Sequence, residues 1–149
     1  MTGLVVATVD KRRTAVAQTC KVASGWLEPA LAKSKSLAAN KVLADAADRD
    51  FVLLGEQHDD PDHHRWQLQT LAGLYAYRPD MVIGFEMFPR RLQPVLDRWV
   101  EGKLTVREFL TQAEWEKVWN FPPELYLPLF EFARINRILM VALNVERSL

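Results

Sequence analysis

Histidine and acidic side chains are concentrated in one short stretch of this chain. All three histidines lie between positions 58 and 64, and the tetrad that opens the stretch runs from Gly55 through Glu56 to His58. In extended backbone, Glu56 and His58 project to the same side because they are two residues apart. A carboxylate and an imidazole that converge on a crevice can bind a metal or act as a general acid/base pair. A polar loop in which Glu56 caps a neighbouring helix fits the same spacing.

The other two histidines, His63 and His64, fall in the first turn of a predicted helix. Asp60 and Pro61 are suited to its N-cap and first helical position. His64 shares a face with apolar residues further along the helix, so we expect it to point inward near the crevice; a hydrogen-bonded core histidine is the alternative. His63 is expected to be more exposed. The stretch has neither a His-x-x-x-His pair nor a thiolate pair, so it is not a zinc motif.

A second candidate carboxylate, Glu86, directly follows the apolar residues 81–85. A carboxylate at the end of a buried strand is costly unless it is hydrogen-bonded, bound to a metal or protonated. Glu86 is therefore more informative than a surface glutamate, and we predict that it is the partner of Glu56 and His58.

Four aromatic residues flank the proline pair at positions 122 and 123: Trp115, Trp119, Phe121 and Tyr126. Core packing is favoured for the tryptophans, and the alternative is that they wall a large flat ligand. Tyr126, one turn into a predicted helix, would then offer a phenolate to iron, a known mode of haem ligation. Tyr75 and Tyr77 are competing tyrosines.

Apolar runs alternate with helical patterns from residue 51 onward. Three runs indicate strands, at residues 51–54, 81–85 and 138–143. The alternation predicts an α/β fold, in which right-handed βαβ units form a partial parallel sheet of about three strands flanked by helices. Ligands of open parallel sheets bind at the carboxyl ends of the strands. Polar residues follow all three predicted strands at that edge: Glu56 and His58, then Glu86, then Asn144, Glu146 and Arg147.

The pattern divides the chain at about residue 45. Residues 1–45 are predicted to be an N-terminal lead with an amphipathic helix, and residues 46–149 are predicted to be the main domain. The chain stops just after a buried-type strand, so no helix follows to cover that strand, and a small sheet with exposed edges is a liability. We therefore expect a fragment of a longer protein, or an open sheet that a partner completes.

Composition excludes several classes of protein. The chain has 149 residues, 49% of them apolar and 26% charged, as is usual for one globular domain. Nineteen basic residues balance nineteen acidic ones, which argues against binding of nucleic acid or anionic membranes through bulk charge. The single Cys20 cannot form an internal disulfide. No apolar run is long enough for a transmembrane segment. No signal peptide is recognised, which indicates the cytoplasm by default.

Taken together and in order, these motifs resemble the ChaN family of bacterial haem-binding, iron-regulated uptake proteins. This family belongs to a superfamily with the Tiki and TraB proteins and the erythromycin esterases. The resemblance covers about residues 45–147. It is carried by residues 53–60, His63 and His64, residues 84–88, Gln93, Trp115 and Trp119, residues 126–129 and residues 142–144.

The resemblance implies an α/β fold with a ligand crevice at the strand carboxyl ends, and a role in iron uptake. It implies haem or a related porphyrin as ligand, bound between two subunits of a homodimer with tyrosine ligation, here by Tyr126. The cofactor-binding residues are then expected to be His58, His64, Glu86, Trp119 and Tyr126. On this interpretation the chain is a binding protein and not a catalyst. Family members usually run well past residue 149, and many are exported lipoproteins, whereas no lipobox precedes Cys20.

An enzymatic alternative follows from the same resemblance. Enzymes of the superfamily use a Gly-x-x-His motif and strand-end glutamates for metal-dependent peptide cleavage or ester hydrolysis. The matching positions are Gly55, Glu56, His58 and Glu86. Glu56, His58 and Glu86 would then hold a divalent ion such as Mn, Co or Zn, or activate water. A third interpretation is a degenerate domain that acts only through association.

Overall fold

The structure, a computed structural model, describes residues 26–28 and 35–146. Helices dominate, and the strands form two small sheets. In chain order the elements are β1 (Trp26–Glu28), β2 (Lys35–Leu37), α1 (Ala39–Ala47), α2 (Pro61–Tyr77), β3 (Ile83–Pro89), a 3-10 turn (Arg90–Leu92), α3 (Gln93–Val100), α4 (Val106–Gln112), α5 (Trp115–Val118), α6 (Pro123–Ile135) and β4 (Met140–Asn144).

The parallel pair β3–β4 is the centre of the fold and confirms the predicted βαβ connection. Ile83 pairs with Met140 and Phe85 with Ala142, and helices α3 to α6 connect the two strands. The side chain of Leu143 on β4 packs directly against Gly84 on β3, where an added Cβ would lie 2.6 Å from Leu143 Cδ1. A larger residue at Gly84 would therefore displace the neighbouring strand's side chain.

The strand predicted at residues 51–54 is not present, so the described sheet has two parallel strands instead of about three. The apolar side chains of Phe51 and Leu53 are 88% and 93% exposed. An apolar run becomes a strand only where a neighbouring backbone pairs with it, and in the described residues β3 and β4 pair with each other. The segment is held instead at Leu54, whose carbonyl accepts a hydrogen bond of 2.9 Å from Gln67 Nε2.

The strand predicted at residues 81–85 begins two residues later and extends to Pro89, which places Glu86 inside β3. Side chains alternate along this strand, so Phe85 and Met87 are buried while Glu86 is exposed. The expectation of a costly buried carboxylate at Glu86 is therefore wrong, because β3 is covered on one face at this point.

Prolines begin the two helices that carry the candidate site. Helix α2 starts at Pro61, and the side chain of Asp60 caps it by accepting a hydrogen bond of 2.8 Å from the Asp62 backbone N–H. Helix α6 starts at Pro123. Both starts confirm the sequence prediction. Helix α2 packs against α6 with their first turns in contact, since the rings of His64 and Tyr126 are centred 4.3 Å apart.

The core between the parallel strands and helices α3, α4 and α6 is strongly aromatic. Trp99 stacks on Phe109 with ring centroids 4.5 Å apart, and its indole N–H donates a hydrogen bond of 2.9 Å to the Phe130 carbonyl. Trp115 is also buried, and its N–H donates to the Phe121 carbonyl at 2.7 Å. The prediction of core packing is therefore confirmed for Trp115.

The N-terminal part differs from the prediction. The amphipathic helix expected in the N-terminal lead is present as α1, which extends to Ala47, past the predicted boundary at about residue 45. The antiparallel pair β1–β2 was not expected. Helix α1 packs closely on α2 at Gly73, where an added Cβ would lie 2.7 Å from Leu43 Cδ1. Most of the predicted lead, including Cys20, lies outside the described residues, and so does Arg147, which was among the polar residues predicted to follow the third strand. Over the described ranges, no helix has the length and apolarity needed to cross a bilayer.

Candidate functional site

Glu56 lies at the centre of a polar network that joins the loop before α2 to helix α6. Its Oε1 atom lies 2.7 Å from His58 Nδ1 and accepts a hydrogen bond of 3.3 Å from the Tyr126 hydroxyl. Its Oε2 atom lies 3.1 Å from His64 Nε2, in an alignment that makes an electrostatic contact and not a hydrogen bond. The structure therefore brings together four of the residues that the sequence singled out.

The backbone carbonyl of His58 fixes the protonation of His64. This oxygen lies 3.1 Å from His64 Nε2 and also accepts a hydrogen bond of 3.1 Å from the Tyr126 hydroxyl. Because a carbonyl oxygen can only accept, His64 carries a proton on Nε2. His64 and Tyr126 are 3% and 1% exposed, so both hold the loop from inside the protein.

The His58 ring lies at the surface of this network, between two aromatic side chains. Its ring centroid is 4.6 Å from that of Trp119 and 5.1 Å from that of Phe121, and both contacts are edge-on. The His58 side chain remains 38% exposed. Asn120, between the two aromatic residues, has a φ of 64°, and this turn lets its neighbours both contact His58. We call His58, Trp119 and Phe121 the aromatic wall.

His63 is half-exposed, as expected, and contributes to the loop's structure. Its Nδ1 atom accepts a hydrogen bond of 2.9 Å from the Gln57 backbone N–H, and its Nε2 atom lies 3.7 Å from Asp60 Oδ2. Hydrogen bonds from the backbone N–H groups of Asp62 and His63 lower the pKa of Asp60. His63 thus supports the loop, while His58 and His64 belong to the network.

Tyr126 is unusually hard to ionise. Burial of the phenol, with smaller contributions from the carboxylates of Glu56 and Glu86, outweighs the opposite effect of the Trp119 indole and raises the pKa of Tyr126 to about 12. At neutral pH the hydroxyl therefore keeps its proton and donates to Glu56 and to the His58 backbone.

The predicted metal set of Glu56, His58 and Glu86 is not assembled as one cluster. Glu86 projects from the exposed face of β3, whereas the other two lie on the loop before α2. Among the described residues, no group of three or more His, Cys, Asp and Glu side chains is arranged to hold a metal ion.

Comparison with known proteins assigns the chain to a family. The model of a family described as haem-binding uptake, Tiki superfamily, ChaN matches residues 42–149. The chain belongs to the ChaN family. The matched range includes the whole network and the aromatic wall. No curated protein matches the chain at a significant level.

A solved ChaN structure supports the fold. The structure of ChaN from Campylobacter jejuni, described as showing cofacial haem binding, is similar with a TM-score of 0.59 and 20% sequence identity. The match covers 76% of this chain and 46% of that ChaN, so this chain spans about half of its length. At 20% sequence identity, this similarity is evidence for a shared fold and not for a shared ligand.

In this ChaN-family chain, a cavity of about 220 Å³ lies at the carboxyl ends of the parallel strands, where the sequence predicted a crevice. It is lined by Met87, Pro89, Arg91, Lys117, Val118, Asn144, Val145 and Glu146. Arg91 donates two hydrogen bonds of 2.7 and 3.0 Å to Glu114 and pairs with Glu146 at 2.8 Å. The hydrogen bond to Glu114 raises the pKa of Arg91, so the guanidinium stays charged.

A larger cleft, of about 610 Å³, lies along α5 and the start of α6 and shares Phe121 with the aromatic wall. The sequence interpretation did not include Phe121 or Arg91 among the site residues. The signal for Phe121 was its place beside Trp119 and the proline pair. Arg91 gave no such signal, because its partners Glu114 and Glu146 are distant in sequence.

Proposed function

We propose that this chain binds haem or a related porphyrin and takes part in bacterial iron uptake. The observation that carries the proposal is the family match over residues 42–149, which contains every residue of the site. The ligand would lie against the aromatic wall, close to the carboxyl ends of the strands. The similarity to a protein described as binding haem cofacially supports the same ligand class.

The chemistry of the residues fits a porphyrin. A flat apolar macrocycle favours contact with aromatic rings, and Trp119 and Phe121 supply two beside a partly exposed imidazole. The carboxylates of a porphyrin favour cations. Arg91 and Lys117 line the cavity at the strand ends, where porphyrin carboxylates would compete with Glu114, which pairs with both cations. When bound, haem supplies a redox-active iron. The protein's own residues would bind and orient it.

We also propose that two copies of the chain form the complete binding site. Cofacial haems lie face to face, and two copies of one site would supply that arrangement. Several apolar side chains are exposed on the outer side of the parallel strands, including Val82 at 57%, Leu143 at 56% and Val145 at 55%. Parallel sheets are normally covered on both faces, so this surface is suited to association. Sedimentation of the chain with and without hemin tests the proposal, and a monomer in both conditions would overturn it.

Titration of the full chain with hemin tests the proposed ligand. We expect a saturable shift of the Soret band at micromolar protein, and a complex that survives gel filtration. Trp119→Ala is expected to weaken binding, whereas Trp66→Ala, which alters a partly exposed tryptophan on α2, is the matched control. An unshifted Soret band, or a shift that never saturates, would contradict haem binding.

A further inference from the structure

We propose that Glu114 is a gate for acidic ligands: its carboxylate holds Arg91 and Lys117 together, and a carboxylate of the ligand has to displace it. The inference rests on the porphyrin binding proposed above, and it adds a residue that limits the affinity for the acidic groups of the ligand. It is carried by the contacts of Glu114 with both cations and by its position between the two cavities.

Glu114 occupies both cations with one carboxylate. Its Oε1 and Oε2 atoms accept hydrogen bonds of 2.7 and 3.0 Å from Arg91, and Oε2 also lies 3.2 Å from Lys117 Nζ. An external carboxylate would bind a guanidinium through the same two parallel hydrogen bonds. The hydrogen bond with Arg91 lowers the pKa of Glu114, so its carboxylate is ionised at neutral pH. Glu114 therefore has the charge and the geometry of a ligand carboxylate at this position.

These three residues lie where the two cavities meet. Arg91 lines the smaller cavity at the strand ends, Glu114 lines the larger cleft, and Lys117 lines both. The cleft also includes Phe121 of the aromatic wall. A porphyrin that contacts Phe121 with its ring and Arg91 with a carboxylate therefore reaches from the cleft into the smaller cavity, and it crosses the ion pair on the way.

The charges around Arg91 are balanced before any ligand binds. Arg91 also pairs with Glu146, whose Oε1 atom lies 2.8 Å from the Arg91 Nε atom, so two cations face two carboxylates. An acidic ligand gains little from a neutral group of charges, and it gains an ion pair only after a carboxylate of the protein has left. Displacement of Glu114 frees both cations, whereas Glu146 contacts Arg91 alone among the ion pairs of the described residues.

The backbone at Glu114 suits a residue that can move. Glu114 has a φ of 49° and Asn120 has a φ of 64°, so the short helix α5 lies between two left-handed residues that are not glycine. Such conformations are sparsely populated and persist where other contacts hold them. The Glu114 side chain makes no capping hydrogen bond to α5, so Arg91 and Lys117 are what fixes its carboxylate. The Arg91 and Glu114 side chains are 39% and 35% exposed, so a ligand can reach the pair from solvent.

Titration of the full chain with two porphyrins tests the gate. The probes are protoporphyrin IX, which carries two carboxylates, and its dimethyl ester, which carries none. Glu114→Gln is expected to raise the affinity for protoporphyrin IX roughly 5-fold, because one exposed ion pair no longer has to break, and to leave the affinity for the ester unchanged. Glu114→Ala, which removes the contacts entirely, is expected to act in the same direction. Glu124→Gln is the matched control, since Glu124 lies in the first turn of α6 and lines neither cavity.

The direction of the change separates a gate from a structural clamp. If Glu114 only stabilises the site, Glu114→Gln leaves the affinity for protoporphyrin IX unchanged or lowers it, and either result overturns the inference while porphyrin binding stands. An equal gain for the ester, or for Glu124→Gln, overturns it as well, because the effect would then not arise from competition for the two cations. If the wild-type chain and both Glu114 variants bind neither porphyrin, the proposed function is overturned, and the gate with it.

Discussion

The Tyr126 hydroxyl donates a hydrogen bond of 3.1 Å to the backbone carbonyl of His58, across 68 positions of sequence. The same hydroxyl lies 3.3 Å from Glu56 Oε1, so one phenol in α6 holds both the backbone and the carboxylate of the loop before α2. The geometry of His58 therefore depends on the packing of α2 against α6, and the site and the fold are energetically coupled.

Tyr126→Phe is expected to destabilise the chain by about 1 kcal/mol at neutral pH, because the Glu56 carboxylate and the His58 carbonyl each lose one of their two hydrogen-bond donors. Urea denaturation followed by tryptophan fluorescence measures the difference. Tyr77→Phe alters an exposed tyrosine and is the matched control. Equal stability of the two variants would contradict a structural role for the Tyr126 hydroxyl.

The raised pKa of Tyr126 also predicts a pH dependence. The pKa moves from its ordinary value of 10 to about 12 on folding, so the unfolded chain releases this proton first as the pH rises. The contribution of this pKa shift to the free energy of unfolding is fully present below pH 10 and is lost as the pH rises through about 12. The wild-type chain should therefore lose more stability than Tyr126→Phe across this interval. Urea denaturation at several pH values measures both stabilities. If the wild-type chain and Tyr126→Phe lose the same stability across this interval, Tyr126 does not have a raised pKa.

The starts of helices α2 and α6 could be predicted from the sequence because the residues that begin a helix act locally. Asp60 and Pro61 identify the start of α2 from two adjacent residues, since a cap and a fixed φ act within one turn. The proline pair at the start of α6 acts in the same way. Such signals require no knowledge of distant parts of the chain.

Other features depend on distant neighbours and could not be predicted. Whether residues 51–54 form a strand depends on a backbone that can pair with them, and whether Glu86 is buried depends on which face of β3 is covered. The sequence indicated that Glu56, His58, His64 and Tyr126 are candidates. The contacts of Glu56 with Tyr126, 70 positions away, follow only from the packing of α2 on α6.

Arg137→Gly is expected to stabilise the chain by about 0.5 kcal/mol, since Arg137 adopts a φ of 54° just beyond α6. The N–H groups of Arg137 and Ile138 donate to the carbonyls of Arg134 and Ala133, which is the Schellman pattern that favours glycine. Thermal denaturation measures the effect. Arg137→Ala is the control, because alanine keeps a Cβ atom and therefore keeps the strain of a positive φ. A lower midpoint for Arg137→Gly than for Arg137→Ala would contradict this account.

Trp99→Phe is expected to cost about 2 kcal/mol, because it removes a buried hydrogen bond to the Phe130 carbonyl and leaves space in the aromatic core. Trp66→Phe, on the outer side of α2, should change stability by less than about 0.5 kcal/mol. Urea midpoints of the two variants give the comparison. Similar costs at both positions would show that the aromatic core does not dominate stability.

Transfer of hemin from the full chain to a haem-free globin distinguishes a specific haem site from adsorption of hemin to an apolar surface. We predict that hemin leaves the wild-type chain in a slow phase whose rate does not depend on the globin concentration. We expect His58→Ala and Trp119→Ala each to release hemin at least about 10-fold faster, whereas His63→Ala releases it at the wild-type rate. Complete transfer to the globin from the wild-type chain, at the same rate as from both site variants, would contradict haem binding at this site.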